Sequence, residues 1–225
     1  PREAAAVVFI PVSAAATLHS CLAEWQTILR QELAGVDDGV RLAASPQAAV
    51  SGCLAVADQK VWLHSLHAAP HGVRCMSRQV DGVVETSNNL GMVALDPSGG
   101  SCNFMVRSLV DSGGAALADE IVSLFVLSGS LAEKSGHYPG WAPDRDSALL
   151  SLCRSVYRHE FDGDSKVQVI HAGLECGIIG AKYPGLDTVS FGPTIRGAHA
   201  PGEAVNIESV GSCWHLLQAI LAAIE

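Results

Sequence analysis

The run VIHAGLECGIIGAKYPGLDTVSFGPTIRGAHAPGE, residues 169–203, sets His171, Glu175, His199 and Glu203 among glycines and prolines, between short apolar stretches. Imidazole and carboxylate side chains bind divalent metals and move protons near neutral pH. His199 falls in a Gly/Pro-framed loop after an apolar stretch, where zinc ligands occur, although a lone loop histidine is also an ordinary surface residue. Glu203 either orients that imidazole or caps the next element. Gly173 falls where a strand should end and a helix begin. A helix N-terminus offers unpaired N–H groups to an anion, and a glycine lets a carboxylate approach the backbone. Gly173 and Gly177 could equally serve tight helix–strand packing.

Arg107 lies inside the apolar run NFMVRSLVDSG. A guanidinium there needs an anion to face. Two readings stand side by side: an ion pair with Asp111 on the same strand face, and a clamp on a substrate carboxylate. His64, His67 and His71 in HSLHAAPH could share a helical face, but Pro70 and Gly72 end that helix, and no Glu sits between the first two as a zincin motif requires. GGAAL and PSGGSCN lack a phosphate-loop pattern, and no GxSxG elbow nominates a serine.

These residues need elements to position them. AAAVVFIPV (4–12) is β-prone and closes at Pro11. Leu18, Leu22, Trp25, Ile28, Leu29 and Leu33 predict a helix, with Ser13 as its cap and Gly35 at its end. GVRLAAS is a short strand candidate. A helix follows over 54–70, stopped by Pro70 and Gly72. Residues 73–95 and 102–110 predict two strands about the turn 96–100. A further helix places Leu117, Ile121, Leu124 and Phe125 on one face. This first part is an α+β layer of helices over a mostly antiparallel sheet. SGHYPGWAPDRDS (135–147) reads as a domain crossing. Beyond it helix, strand, helix, strand and helix alternate, which predicts parallel strands with crossover helices.

The 225 residues suffice for one large or two small domains, and 48% apolar with 16% charged residues is a globular composition. A net charge of -9 argues against a nucleic-acid backbone or an anionic membrane as partner. The seven cysteines are odd in number and form no CxxC pair, so a reducing, cytoplasmic compartment is expected. No run of 18 apolar residues is present. The opening PREAAAVVFIPV starts without Met, inside an apparent strand, and suggests an internal or processed piece of a longer protein.

GVVETSNNLGMV, VRSLVDSG, the HAGLECG and GAHAPGE motifs, and the closing IESVGSCWHLLQAI together resemble the aminoacyl-histidine dipeptidases, a family of Xaa-His zinc peptidases. The resemblance is collinear along the whole chain and implies an α/β protein in two parts. Residues 1–142 correspond to the C-terminal part of an inserted lid domain. Residues 143–225 correspond to the C-terminal part of a catalytic domain that holds two zinc ions in the complete enzyme. His199 matches a zinc ligand. Gly173 and Arg107 match substrate-holding positions, and His171 and Glu175 belong to the motif without an assigned role. The resemblance implies short peptide substrates, with Xaa-His dipeptides foremost, cleaved by metal-activated water. The family's other metal ligands and its general-base Glu fall upstream of this chain, so no catalytic residue is named here and the chain alone is expected to be inactive. The alternatives are a non-catalytic interaction module and a related N-acyl amidohydrolase. Expected partners are a second copy or the missing N-terminal part.

Half of a parallel sheet exposes an edge and apolar helix faces. The isolated chain is therefore expected to be poorly soluble or to associate. Gel filtration checks this; a well-behaved compact monomer would count against the truncation reading.

Overall fold

The computed structural model describes residues 3–48, 52–96, 98–141, 144, 146–169, 175–198 and 202–224. Helices and small sheets mix along the chain, an α/β structure as expected. It divides into two compact units: residues 1–66 with 94–101, and residues 67–93 with 102–225. This is a division by packing. The junction expected near residue 142 concerns which part of a longer fold each segment represents.

In the first unit a 3-10 turn, Val12–Ala14, leads into α1 (Ala15–Glu32). Leu18, Leu22, Ile28, Leu29 and Leu33 form the half-buried stripe that their spacing predicts, while Trp25 is exposed. Ser13 is not the cap. It sits inside the 3-10 turn, and the N-cap is Ala14, with no side-chain bond. Gly35 takes a left-handed conformation just past the helix end. The strand expected over residues 4–12 does not form: residues 3–11 lie outside any strand and are exposed. GVRLAAS is not a strand either, but it has a substitute neighbour. Gln26 donates its side-chain amide to Val40 O at 3.0 Å and accepts from Leu42 N at 2.7 Å. One side chain thus supplies the donor and acceptor that an adjoining strand would offer. The helix predicted before Pro70 is α2 (Val56–Ala68).

The main sheet has three strands in the order β1 (Gly72–Met76), β2 (Val84–Asp96) and β3 (Gly99–Ser108). The first predicted strand is really two, because Asp81-Gly82 marks a turn. Ser77 closes that turn, its N–H donating to Val83 O at 2.8 Å. β1 and β2 run antiparallel, with Gly72 opposite Asn88 and Met76 opposite Val84, and register shifts between. His71 extends this edge, its Nδ1 accepting from Leu90 N at 3.1 Å. Helix α3 (Asp111–Leu127) lays Leu117, Ile121 and Phe125 on the sheet, against Phe104, Val106 and Cys102. Phe104 and Phe125 meet with centroids 5.5 Å apart. Thr86, 1% exposed, hydrogen-bonds Ser108 at 2.8 Å beneath the first turn of α3. Gly113 lies directly over that pair, where a Cβ would come within 3.0 Å of Thr86 Oγ1.

Beyond the crossing come α4 (Ala148–Phe161), α5 (Glu175–Lys182) and α6 (Ile207–Ala223), close to where periodicity puts them. α4 packs on α6. Phe161 stacks on Tyr157 and meets the His215 ring edge-on, and His215 Nε2 bonds Glu160 at 2.6 Å. The parallel strands expected over 166–172 and 187–193 are absent among the described residues. Residues 164–169 and 186–194 belong to no ladder, and the second sheet is the short antiparallel pair β4 (Ile195–Arg196) and β5 (Ala204–Val205). A strand-prone run becomes a strand only when another run lies beside it, and neither of these has one among the described residues.

Leu117, at 2% exposure, is the most buried residue of the core, whereas Val126 on the same helix is 57% exposed. Leu117→Ala is expected to cost about 2–4 kcal/mol, and Val126→Ala under about 0.5 kcal/mol. Urea denaturation followed by circular dichroism measures both.

Candidate functional site

A cavity of about 990 Å³ opens among α4, α5, α6 and the two extended runs. Val167 and Val169 line it from the first run, Val189 and Phe191 from the second. Cys176 and Gly180 of α5 border it, as do Thr194 and Ser209. The helix that closes the HAGLECG motif and the base of the GAHAPGE hairpin therefore face one space. Sequence separation alone could not have established this.

The hairpin is built by capping. Asn206 is the N-cap of α6, and its side chain accepts from Ser209 N at 2.9 Å. The Ser209 hydroxyl donates to Asn206 O at 2.7 Å and accepts from Thr194 N at 2.9 Å. Asn206 N in turn donates to Thr194 O at 2.9 Å. One polar knot thus ties both ends of the β4–β5 hairpin to the start of α6. The signal was present in the sequence as Asn206 and Ser209 three residues apart ahead of an apolar helix, a capping pattern.

A second knot holds the other side of the cavity. Ser147, 5% exposed, caps α4 by accepting from Leu150 N at 2.9 Å. Its hydroxyl donates to Asp187 Oδ1 at 2.7 Å, and Leu149 N donates to Asp187 Oδ2 at 2.9 Å. The Leu149 N–H, followed by the Ser147 hydroxyl, holds the Asp187 carboxyl below the usual carboxylate range. Asp187 thus anchors the second extended run to a helix N-terminus, where its charge is favoured. Both of its oxygens are occupied in capping.

Two of the half-buried cysteines are disfavoured as nucleophiles. Burial, followed by the Asp187 charge, pushes the Cys153 thiol up, and burial does the same for Cys102. A thiol raised in this way stays protonated at neutral pH.

Of the residues nominated from sequence, Arg107, Glu175 and Glu203 are described, and Glu203 is exposed just ahead of β5. Arg107 is half-buried on β3, and strand alternation puts it on the face opposite Phe104, Val106 and Ser108. Asp111, considered as its in-strand partner, is not on the strand. It opens α3 and accepts from Gly140 N at 2.7 Å. Glu175 is exposed at the first position of α5, where the helix dipole favours a carboxylate. His171, Gly173 and His199 lie outside the described residues. Among the described residues no group of three or more His, Cys, Asp or Glu could hold a metal ion. Those side chains do not by themselves make a zinc site, which takes about three protein ligands. His64, His67 and His71 form no such group either.

The chain is similar to known dipeptidases. The cytosol non-specific dipeptidase of Escherichia coli (strain K12) is 39% identical over 224 residues, covering 100% of this chain and 46% of that protein. The crystal structure of an aminoacylhistidine dipeptidase from Vibrio alginolyticus superposes with a TM-score of 0.78 at 36% identity, over 96% of this chain and 44% of that one. The chain therefore spans just under half the length of each. No protein-family model matches it. The resemblance drawn from the motifs is shown by both comparisons, and the α/β fold by the second.

The Asp187 carboxyl has a lower pKa folded than unfolded. Its stabilisation is present above the unfolded value and is lost as pH falls through the folded one, below about pH 4. Asp187→Asn is expected to lower the melting temperature at neutral pH and to flatten its decline between about pH 5 and pH 2. Thermal melts across that range check this; parallel declines in the two proteins would refute the linkage.

Proposed function

We propose that the chain forms the C-terminal part of a zinc-dependent dipeptidase that hydrolyses short peptides, Xaa-His dipeptides among them. The observation that carries this reading is similarity to two dipeptidases over 96–100% of the chain. Residues 1–142 supply the end of the lid and residues 143–225 the end of the catalytic domain. A cytosolic location goes with the reading, in keeping with the name of the Escherichia coli relative. Among the described residues no helix is long and apolar enough to cross a membrane.

Within this reading the residues divide the work. Arg107 presents a planar, permanently charged fork that suits the terminal carboxylate of a dipeptide. Gly173 gives that carboxylate access to the backbone at the entry to α5. His199 of the GAHAPGE motif contributes an imidazole as metal ligand. His171 and Glu175 belong to the same motif as Gly173. Zinc, when bound, would supply a nucleophilic water at neutral pH. The groups that complete its coordination and take the proton come from the part of the relatives' length that this chain does not span. A second copy of the chain or that missing part is the natural partner.

The runs 166–169 and 187–193 fit the same picture. They alternate polar and apolar residues, lie outside any ladder, and share one cavity. Strands from the remaining half of the fold would pair with them.

The chain alone, given zinc and a Xaa-His dipeptide, is expected to release no histidine. Fused behind the preceding half of the Escherichia coli relative, it is expected to release histidine. In that fusion Arg107→Ala should raise KM by about 10–100-fold through loss of charged hydrogen bonds. Turnover by the chain alone would overturn the division of ligands. A folded fusion that cleaves acylated amino acids but no dipeptide would favour an amidohydrolase, and one that cleaves neither would favour an interaction module.

A further inference from the structure

The crossing Pro139–Trp141 is gripped between two pieces of backbone. A Cβ on Gly140 would lie 2.6 Å from Leu109 O, 2.7 Å from Leu109 C and 3.0 Å from Ser108 O. On its other side, a Cβ on Gly177 in α5 would lie 2.7 Å from Pro139 O and 3.4 Å from Gly140 O. Gly177 is buried, and neither glycine has a positive φ. Both positions therefore need glycine for space and not for conformation. A third contact fixes the register: Gly140 N donates to Asp111 Oδ1 at 2.7 Å, at the first residue of α3. The exit of β3, the crossing and α5 are thus stacked backbone on backbone, with no side chain between to absorb a displacement.

We propose that Pro139–Trp141 is a rigid coupling piece that makes the end of β3 and helix α5 move as one body, with Asp111 as the positioning residue that sets the crossing's register. Ser108 and Leu109 directly follow Arg107, and Glu175 and Gly177 belong to the HAGLECG motif. The separation of these two places is then set by the bare backbone of Gly140 and Gly177. This coupling does not depend on the dipeptidase reading; it holds for whatever ligand the two places serve. Gly180, one turn further along α5, is an internal control, since a Cβ there meets nothing within 4 Å.

Native-state hydrogen exchange on the purified chain, read peptide by peptide, tests the coupling. Gly140→Ala, Gly177→Ala and Asp111→Ala are each expected to raise exchange at least tenfold in two places together, the 104–112 segment and α5, while α6 stays unchanged. Asp111→Asn keeps an acceptor oxygen for Gly140 N and is expected to restore slow exchange in both places. Gly180→Ala should leave both within twofold of the parent. Loosening confined to the mutated side, no loosening at all, or an Asp111→Asn that behaves like Asp111→Ala would overturn the proposal. If the glycine variants fail to fold, the two Asp111 variants decide the question.

Discussion

Extended backbone cannot be left with bare peptide groups inside a protein, and most of this structure follows from how that demand is met. Where two apolar runs are neighbours in sequence, as at 84–96 and 99–108, they pair and make a floor. On that floor α3 buries Leu117, Ile121 and Phe125. Where a strand-prone run has no local neighbour, as at residues 4–11, 166–169 and 187–193, it stays outside any ladder. Helices satisfy their own backbone groups and form wherever their pattern allows. Among the described residues the second half of the chain is consequently three helices around a cavity, held in place by capping side chains, with one sheet of two two-residue strands.

Capping side chains take over the structural work that a central sheet would do. Ser147 and Asp187 join the second extended run to the head of α4. Asn206 and Ser209 join the hairpin to the head of α6. The first knot satisfies two of the orphan N–H groups that a helix start leaves open, Leu149 N and Leu150 N, and the second satisfies Ser209 N. The heads of α4 and α6, and with them the second extended run and the β4–β5 hairpin, are fixed about a shared space.

The helices were legible in the sequence because their period is a local property. Leu117, Ile121 and Phe125 needed no distant information to announce a face. The strands were legible only where the partner lay a turn away, and even there Asp81-Gly82 was passed over, so that two strands were read as one. Strand propensity in AAAVVFIPV or DTVSFGP states a willingness to pair; the pairing depends on another segment. Of the candidate site, the motifs and the family likeness were readable. The Asn206–Ser209 cap was written in the sequence but unread. The position of Asp111 was misread, because a helix starting at that residue takes its side chain off the strand.

Gln26 deserves a last consequence. Its neutral amide gives one hydrogen to Val40 O and takes one from Leu42 N, so the segment beyond α1 is held by the difference between an NH₂ and an oxygen. Deamidation, the slow hydrolytic ageing of glutamine, replaces the donor with a second anionic oxygen and sets it against a carbonyl. One attraction becomes a repulsion while the Leu42 N–H keeps its acceptor, so the 39–42 stretch is left with half of its tether.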